Sequence, residues 1–193
     1  MISPEHRQRP AGAPRRTGRR QPRRGPAAWL LIAALGLLAQ APSAGNAGAA
    51  DATLGPSGLS LPRYVSLRAD EVNLRTGPGI QYPIEWVYHR RHYPIEIIAE
   101  FDTWRRIRDP EGTEGWVHQS MLSGRRFALV TAEQAVLRHR PEADAAPVAR
   151  LERGVIAEIG DCRAAWCRIT VAGLRGWLMR QQIWGIYPGE SPD

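Results

Sequence analysis

Two cysteines, Cys162 and Cys167, are the sharpest chemical signal in the sequence. They flank a four-residue loop, Arg163-Ala164-Ala165-Trp166, which sets them facing each other across adjacent strands. Opposed strand positions lie about 4.5–5.5 Å apart, a separation that suits a disulfide. A bridge closing so short a loop contributes only about 2 kcal/mol on the chain-entropy model. The other reading, a reactive thiol, needs a positioned histidine base. None of the histidines after the first fifty residues (His89, His92, His118, His139) sits in an active-site motif. No nucleophile elbow or glycine-rich phosphate loop is present, so catalysis is not expected. His89-x-x-His92 lacks a third ligand at metal spacing, and neither a metal nor any other cofactor is expected.

A binding surface is the chemistry that remains. On a strand of period two, Trp104, Arg106 and Arg108 share one face, while Arg105 and Ile107 share the other. With Ile107 turned inward, a ring and two guanidinium groups line the outside. Such a face suits carboxylate-bearing peptides, because arginine forks onto carboxylates and the ring packs apolar groups. Tyr82, Trp86 and Tyr88 would extend the patch. Alternatively, Trp104 packs against a neighbouring domain or against the segment Ile183 to Tyr187.

The elements that position these residues come in two copies. Asn73 to Pro78 aligns with Val136 to Pro141 at an offset of 63. Trp104-Arg105-Arg106-Ile107 aligns with Trp166-Cys167-Arg168-Ile169 at 62, and Gly115-Trp116-Val117 with Gly176-Trp177-Leu178 at 61. The offset drifts in the loops while the strand motifs stay in register, as a duplicated β unit requires. In this alignment Cys162 and Cys167 match Glu100 and Arg105, so a covalent cross-strand clamp in one copy replaces an ionic one in the other. Short strands spaced by turn residues suggest small barrels. Barrels of this size bury little apolar area, which predicts reliance on large aromatics such as Trp104, Trp116, Trp166 and Trp177. The expected boundaries are 1–50 for a leader, 51–62 for a flexible linker, 63–125 and 126–187 for the two domains, and 188–193 for a tail.

Charge is unevenly placed along the 193 residues. The formal net charge is +7 and the isoelectric point is near 10.4. Eight of the 26 basic residues lie in the first fifty positions, leaving 18 arginines against 18 acids in the remainder. The remainder is therefore neutral, and a nucleic-acid partner is not expected. The leader itself reads as an export signal: an Arg-rich segment to Gly25, the apolar run Ala27 to Ala41, then small residues with cleavage near Ala49 or Ala50. The apolar run is shorter than the roughly 20 residues of a membrane-spanning helix. Left uncleaved, it would anchor the chain and be its one membrane contact.

Asn73-Leu74-Arg75-Thr76-Gly77-Pro78-Gly79, followed by Trp104-x-Arg106-Ile107 and Gly115-Trp116-Val117-His118, resembles the bacterial SH3-like (SH3b) domain. The runs WRRIRDPEGTEGWVHQSMLSGRR and IWGIYPGE resemble the exported tandem SH3-like proteins of Gram-negative bacteria. The second copy departs from the pattern, with His139-Arg140 for Thr-Gly and Glu142 for the second Gly. The resemblance implies an all-β fold of two tandem five-stranded barrels after a disordered or cleaved leader. It also implies a non-catalytic periplasmic role, binding cell-wall peptides or a periplasmic protein. The alternative is a structural or assembly factor of the envelope, in which the barrels pack together and Trp184 to Tyr187 dock on another protein.

Overall fold

A computed structural model of the chain describes residues 53–192; the leader and its cleavage site lie outside them. Two short strands open it, β1 (Thr53–Leu54) and β2 (Ser60–Leu61), paired as an antiparallel hairpin. Barrel one comprises β3 (Arg63–Leu67), β4 (Val72–Arg75), β5 (Ile84–Tyr88), β6 (Pro94–Phe101), β7 (Trp104–Arg108), β8 (Glu114–His118) and β9 (Leu122–Ser123). Barrel two comprises β10 (Phe127–Val130), β11 (Gln134–Arg138), β12 (Pro147–Glu152), β13 (Ile156–Arg163), β14 (Trp166–Val171), β15 (Leu174–Met179) and β16 (Ile183–Trp184).

The two sheets have the same order. Barrel one runs β5-β4-β8-β7-β6-β3-β9 and barrel two runs β12-β11-β15-β14-β13-β10-β16. The duplication legible in sequence is therefore a duplication of topology, with seven strands in each copy when the two-residue β9 and β16 are included. Even the backbone exceptions repeat. Positive φ falls at His92 and Gly154, and again at Asp102 and Ala164.

Each barrel is shut by a close crossing at its Gly-Trp motif. A Cβ on Gly115 would lie 2.6 Å from Leu74 Cγ and 2.9 Å from the Arg75 carbonyl oxygen. On Gly176 it would lie 2.7 Å from both Leu137 Cγ and the Arg138 carbonyl oxygen. The neighbouring Trp then stands opposite the arginine: Arg75 pairs with Trp116, and Arg138 with Trp177. The cores behind these crossings are largely aliphatic. Leu67, Leu74, Ile95, Ile107 and Val117 are fully buried in one, and Leu137, Ile169 and Leu178 in the other. The expected reliance on tryptophans is thus corrected. Trp104, Trp116 and Trp166 are half-buried and only Trp177 of these four is buried; the rings inside barrel one are Tyr88 and Tyr93, among β-branched and leucyl side chains that fill most of so narrow an interior.

Two expected flexible pieces are ordered. The segment 51–62, read as a linker, contains the β1–β2 hairpin, and Ser57 fastens it to barrel one. The C-terminal stretch, which the alternative reading places on another protein, lies on barrel one of the same chain. Tyr64 receives Trp184 edge-on at 4.8 Å and Tyr187 at 4.5 Å between ring centroids. The Tyr187 hydroxyl donates to Glu96 at 2.6 Å, and Arg126 pairs with Glu190. His92 stacks on Phe127 at 4.3 Å, and Arg90 donates to the Gly154 carbonyl at 2.6 Å. Leu129 joins the apolar cluster of barrel one, with Ile156 packed against it. The barrels are joined by a continuous apolar and aromatic seam.

Adding a methyl group at the Gly115 crossing, as Gly115→Ala, is expected to destabilise the chain by about 1–3 kcal/mol through overpacking. Gly124→Ala, where a Cβ meets nothing within 4 Å, serves as the control and is expected near neutral. Thermal melts of the two variants check this, and equal melting temperatures would refute the crossing as a constraint.

Candidate functional site

Three places where chemistry could occur differ in what they leave free. The first is the outer face of β7. Trp104, Arg106 and Arg108 do share that face, with Arg105 and Ile107 buried behind it. Each guanidinium group already has an acid partner, however. Arg106 Nη2 lies 2.9 Å from Glu114 Oε2, and Arg108 Nε donates to Glu96 Oε2 at 3.0 Å. A carboxylate-bearing ligand would meet guanidinium groups whose charge already faces an acid. Trp104 stands edge-on to His118, with ring centroids 5.4 Å apart. Neither the neighbouring barrel nor the C-terminal segment supplies its aromatic partner, since that segment meets Tyr64 instead.

The second place is a cleft of about 840 Å³ lined in part by Ser57, Arg63, Arg105, Gln119 and Arg126. It is a latch rather than an open site. Glu100, its carboxylate almost wholly buried, accepts from Arg63 at 2.6 Å and from the Ser57 amide and hydroxyl, each at 2.8 Å. Arg105 Nε lies 3.2 Å from the same carboxylate, across the strand pair Glu100–Arg105. Arg105 also donates to Gln119 and to the Asp102 and Trp104 carbonyls. The predicted cross-strand ion pair is present and is the centre of a larger network. In barrel two the matched pair is the predicted disulfide. Cys162 and Cys167 are bonded, with Cα atoms 4.0 Å apart. Arg163 pairs with Trp166 above them, so the turn proper is only Ala164-Ala165, with Ala164 at a φ of 48°.

The third place is the β4–β5 loop and strand β5 of barrel one. Ile80, Tyr82, Ile84 and Trp86 are exposed there, Trp86 by 57%. Arg75 organises the loop, donating Nη1 to the Tyr82 carbonyl at 2.7 Å and to the Ile80 carbonyl at 3.2 Å. The Tyr82 ring lies in the space a Cβ on Gly77 would need. Barrel two keeps the arginine, with Arg138 donating to the Ala145 carbonyl at 2.6 Å, but not the rings. Ala143, Ala145, Pro147 and Ala149 stand where Ile80, Tyr82, Ile84 and Trp86 stand in barrel one. Gly77 has become Arg140 in the copy where Tyr82 has become Ala145. The replacement of Gly77 was legible in the sequence, but its tie to the Tyr82 ring is seen only in the structure. Strand β5 ends the sheet order, so among the described residues its outer edge is unpaired.

Tyr88 does not join the exposed patch. It is buried, stacks on Tyr93 at 5.9 Å and donates its hydroxyl to Asp109 at 3.0 Å. Period two along β5 carries it to the inner face opposite Val72, which is why it leaves the surface. Burial, and then the neighbouring Asp109 charge and hydrogen bond, push its hydroxyl well above the usual tyrosine range. Together with Trp86 it lines a recess of about 470 Å³ that also takes in Tyr93, Asp109 and Glu111. Asp109, Glu111 and Tyr93 were not singled out from the sequence, because the Asp-Pro-Glu-Gly run reads simply as a turn. Among the described residues no group of three or more His, Cys, Asp and Glu side chains could hold a metal ion.

Comparison with known proteins adds to this geometry. The family model described as the bacterial SH3 domain matches residues 68–124 and 131–185. A curated relative, named "Putative N-acetylmuramoyl-L-alanine amidase YrvJ", of Bacillus subtilis (strain 168), is 27% identical over 129 residues. The match takes in 61% of this chain and 24% of that protein, so the chain spans about a quarter of its relative's length. Among solved structures, NlpC2 from Trichomonas vaginalis is 12% identical with a TM-score of 0.31, over 64% of this chain and 48% of that one. An NlpC/P60 family protein from Bacillus cereus ATCC 10987 is 12% identical with a TM-score of 0.29, over 63% and 55%. At these scores the structural likenesses carry no argument about this chain.

The Glu100 latch makes a pH prediction. Burial pushes the carboxyl up, but hydrogen bonds from Arg63 and Ser57, with the Arg63 charge, outweigh it and hold it at about 2. The folded value lies below the ordinary 4.5. The latch therefore contributes fully above about pH 4.5 and is lost as the pH falls toward about 2. Glu100→Gln should melt below the parent at neutral pH, and the gap should close across that window in melts recorded from pH 7 to 2. A gap that stays constant would sink the assignment.

Proposed function

The chain belongs to the bacterial SH3 domain family, and from that premise we propose that it is a non-catalytic, exported binding module whose first barrel recognises cell-wall peptides. One observation carries this reading. An exposed apolar patch with two aromatic rings occupies the loop and edge strand of barrel one, and alanine and proline occupy the same positions in barrel two. A patch exposed to water and absent from the matched copy is not a requirement of the fold. An unpaired strand edge beside it suits an extended peptide, which adds main-chain hydrogen bonds while the rings take its side chains. The name of the Bacillus subtilis relative, "Putative N-acetylmuramoyl-L-alanine amidase YrvJ", supports the substrate class. A periplasmic role follows from the same reading, with the leader as the export signal.

Barrel two acts in this reading as a brace. Its C-terminal aromatics grip Tyr64, and its disulfide stiffens the β13–β14 hairpin. The envelope-scaffold alternative loses its docking segment, since Trp184 and Tyr187 are engaged within the chain.

A sacculus co-sedimentation assay tests the proposal. The purified chain is expected to be retained, and Trp86→Ala or Tyr82→Ala to weaken retention by about tenfold or more, the loss usual for a buried aromatic anchor. Trp104→Ala is expected to change it little. No retention of the parent, or loss only with Trp104→Ala, would overturn the assignment.

A further inference from the structure

We propose that the recess beneath Trp86 is a receptor for a primary ammonium group borne on an aliphatic chain. The inference deepens the cell-wall reading and rests on it for the source of the amine. The recess is walled by Trp86, Tyr88, Tyr93, Asp109 and Glu111 and has a volume of about 470 Å³. That is room for a side chain rather than a whole peptide.

Its two carboxylates are held in place without being neutralised. Asp109 is only 6% exposed. It accepts from the Tyr88 hydroxyl at 3.0 Å and from the Glu111 and Thr113 amides at 3.0 and 2.8 Å. Glu111 Oε2 accepts from the Tyr93 hydroxyl at 2.8 Å. All of these donors are neutral. Glu111 is exposed, and the buried or half-buried acids of barrel one other than Asp109, namely Glu96, Glu100 and Glu114, each have an arginine partner. Among the described residues neither Asp109 nor Glu111 has a cationic partner. Arg90 borders the recess but lies over the Tyr93 ring at 5.6 Å and is tied to the Gly154 carbonyl. His89, also at the rim, lies nearest Glu71, at 3.9 Å. A buried carboxylate without a counter-charge costs free energy unless a cation arrives to pair with it.

The duplicated barrel supplies the internal control. Trp86, Tyr88, Tyr93 and Asp109 correspond to Ala149, Leu151, Val155 and Val171. The backbone frame that sets this correspondence is the same in both barrels: Leu67 donates to the Tyr93 carbonyl, and Val130 to the Val155 carbonyl. The Pro110-Glu111-Gly112 turn becomes Ala172-Gly173, with no acid. Barrel two closes with aliphatic side chains at every one of these places, so the fold requires neither the carboxylates nor the rings. Barrel one carries acids and aromatics together, and their joint chemistry selects a cation.

A primary ammonium fits the free valences. It offers three donors to the acceptors that line the recess, here Asp109 Oδ2 and the unengaged Glu111 Oε1, and its charge is drawn to an indole face. The 57% exposure of Trp86 leaves that face open to a ligand. The aliphatic stem would lie against the rings that line the wall.

The test uses the full chain, isotopically labelled so that the Trp86 indole N–H is followed by NMR. The probes are Nα-acetyl-lysine amide, for a side-chain ammonium, and alanine amide, for an α-ammonium. Nα,Nε-diacetyl-lysine amide is the neutral control. A saturable shift with a dissociation constant of about 1–10 mM is expected for at least one amine and none for the neutral analogue. The amine that responds identifies which kind of ammonium is read. Glu111→Gln keeps the one acceptor oxygen that Tyr93 uses, and Asp109→Asn keeps an oxygen for the turn amides while giving up the acceptor for Tyr88; both remove a charge, and each should weaken binding by about tenfold. No saturable shift, an equal response to the diacetyl probe, or undiminished binding in both variants would overturn the inference. Sacculus retention without an amine response leaves the wall reading standing and defeats the recess. An amine response without retention does the reverse.

Discussion

The close crossing of two strands at a glycine is the constraint from which the rest of this chain follows. At Gly115 and Gly176 the backbone of one strand runs against the side chain and carbonyl of another, and no Cβ fits between them. That contact closes each barrel and sets the following Trp opposite an arginine. It also phases the alternation along β7 and β14, so that Ile107 and Ile169 point inward in both copies. Every residue discussed as a candidate site takes its direction from that phase.

Two barrels built on one plan have diverged in how they hold the same places. The cross-strand site is Glu100 with Arg105 in one and Cys162 with Cys167 in the other. The ionic version recruits Arg63, Ser57 and Gln119, and through Ser57 it fastens the N-terminal hairpin. The covalent version needs no such shell, and Cys167 is fully buried. The β5 region has diverged the other way: barrel one is rich in rings and acids, and barrel two is plain. One copy thus carries a surface with unsatisfied chemistry, while the other puts its aromatic residues to work as a clasp.

That clasp makes the pair of barrels a unit. Tyr64 is held between Trp184, Tyr187 and the Arg126 guanidinium, and its hydroxyl is pushed up to about 12 by burial and by Glu96. Burial and the Glu96 hydrogen bond push Tyr187 higher still. Both hydroxyls therefore stay neutral donors at any physiological pH, so the Tyr187 hydrogen bond to Glu96 does not titrate away. The same Glu96 also receives Arg108, which is how the seam between barrels comes to occupy an arginine of the outer β7 face.

The repeat, the alternation along β7, the facing cysteines and the facing Glu100–Arg105 pair were all legible in the sequence. Each depends on spacing within a strand or across one hairpin, and local geometry is nearly the same in every β structure. The replacement of Gly77 by Arg140 was legible too, but that the Tyr82 ring fills the space beside Gly77 is seen only in the structure. What tertiary structure alone decided is which charges are free. Arg106 and Arg108 looked available for a ligand, but Glu114 and Glu96, on the two strands that flank β7, already pair with them. Asp109 and Glu111 looked like turn residues, but Tyr88 and Tyr93 come from another strand and its connector to hold them as carboxylates without a cation. The tail looked free to meet another protein, but it folds back onto Tyr64. Periodicity says which way a side chain points. Only the packing of residues distant in sequence says what it meets, and whether a charge is satisfied depends on that meeting.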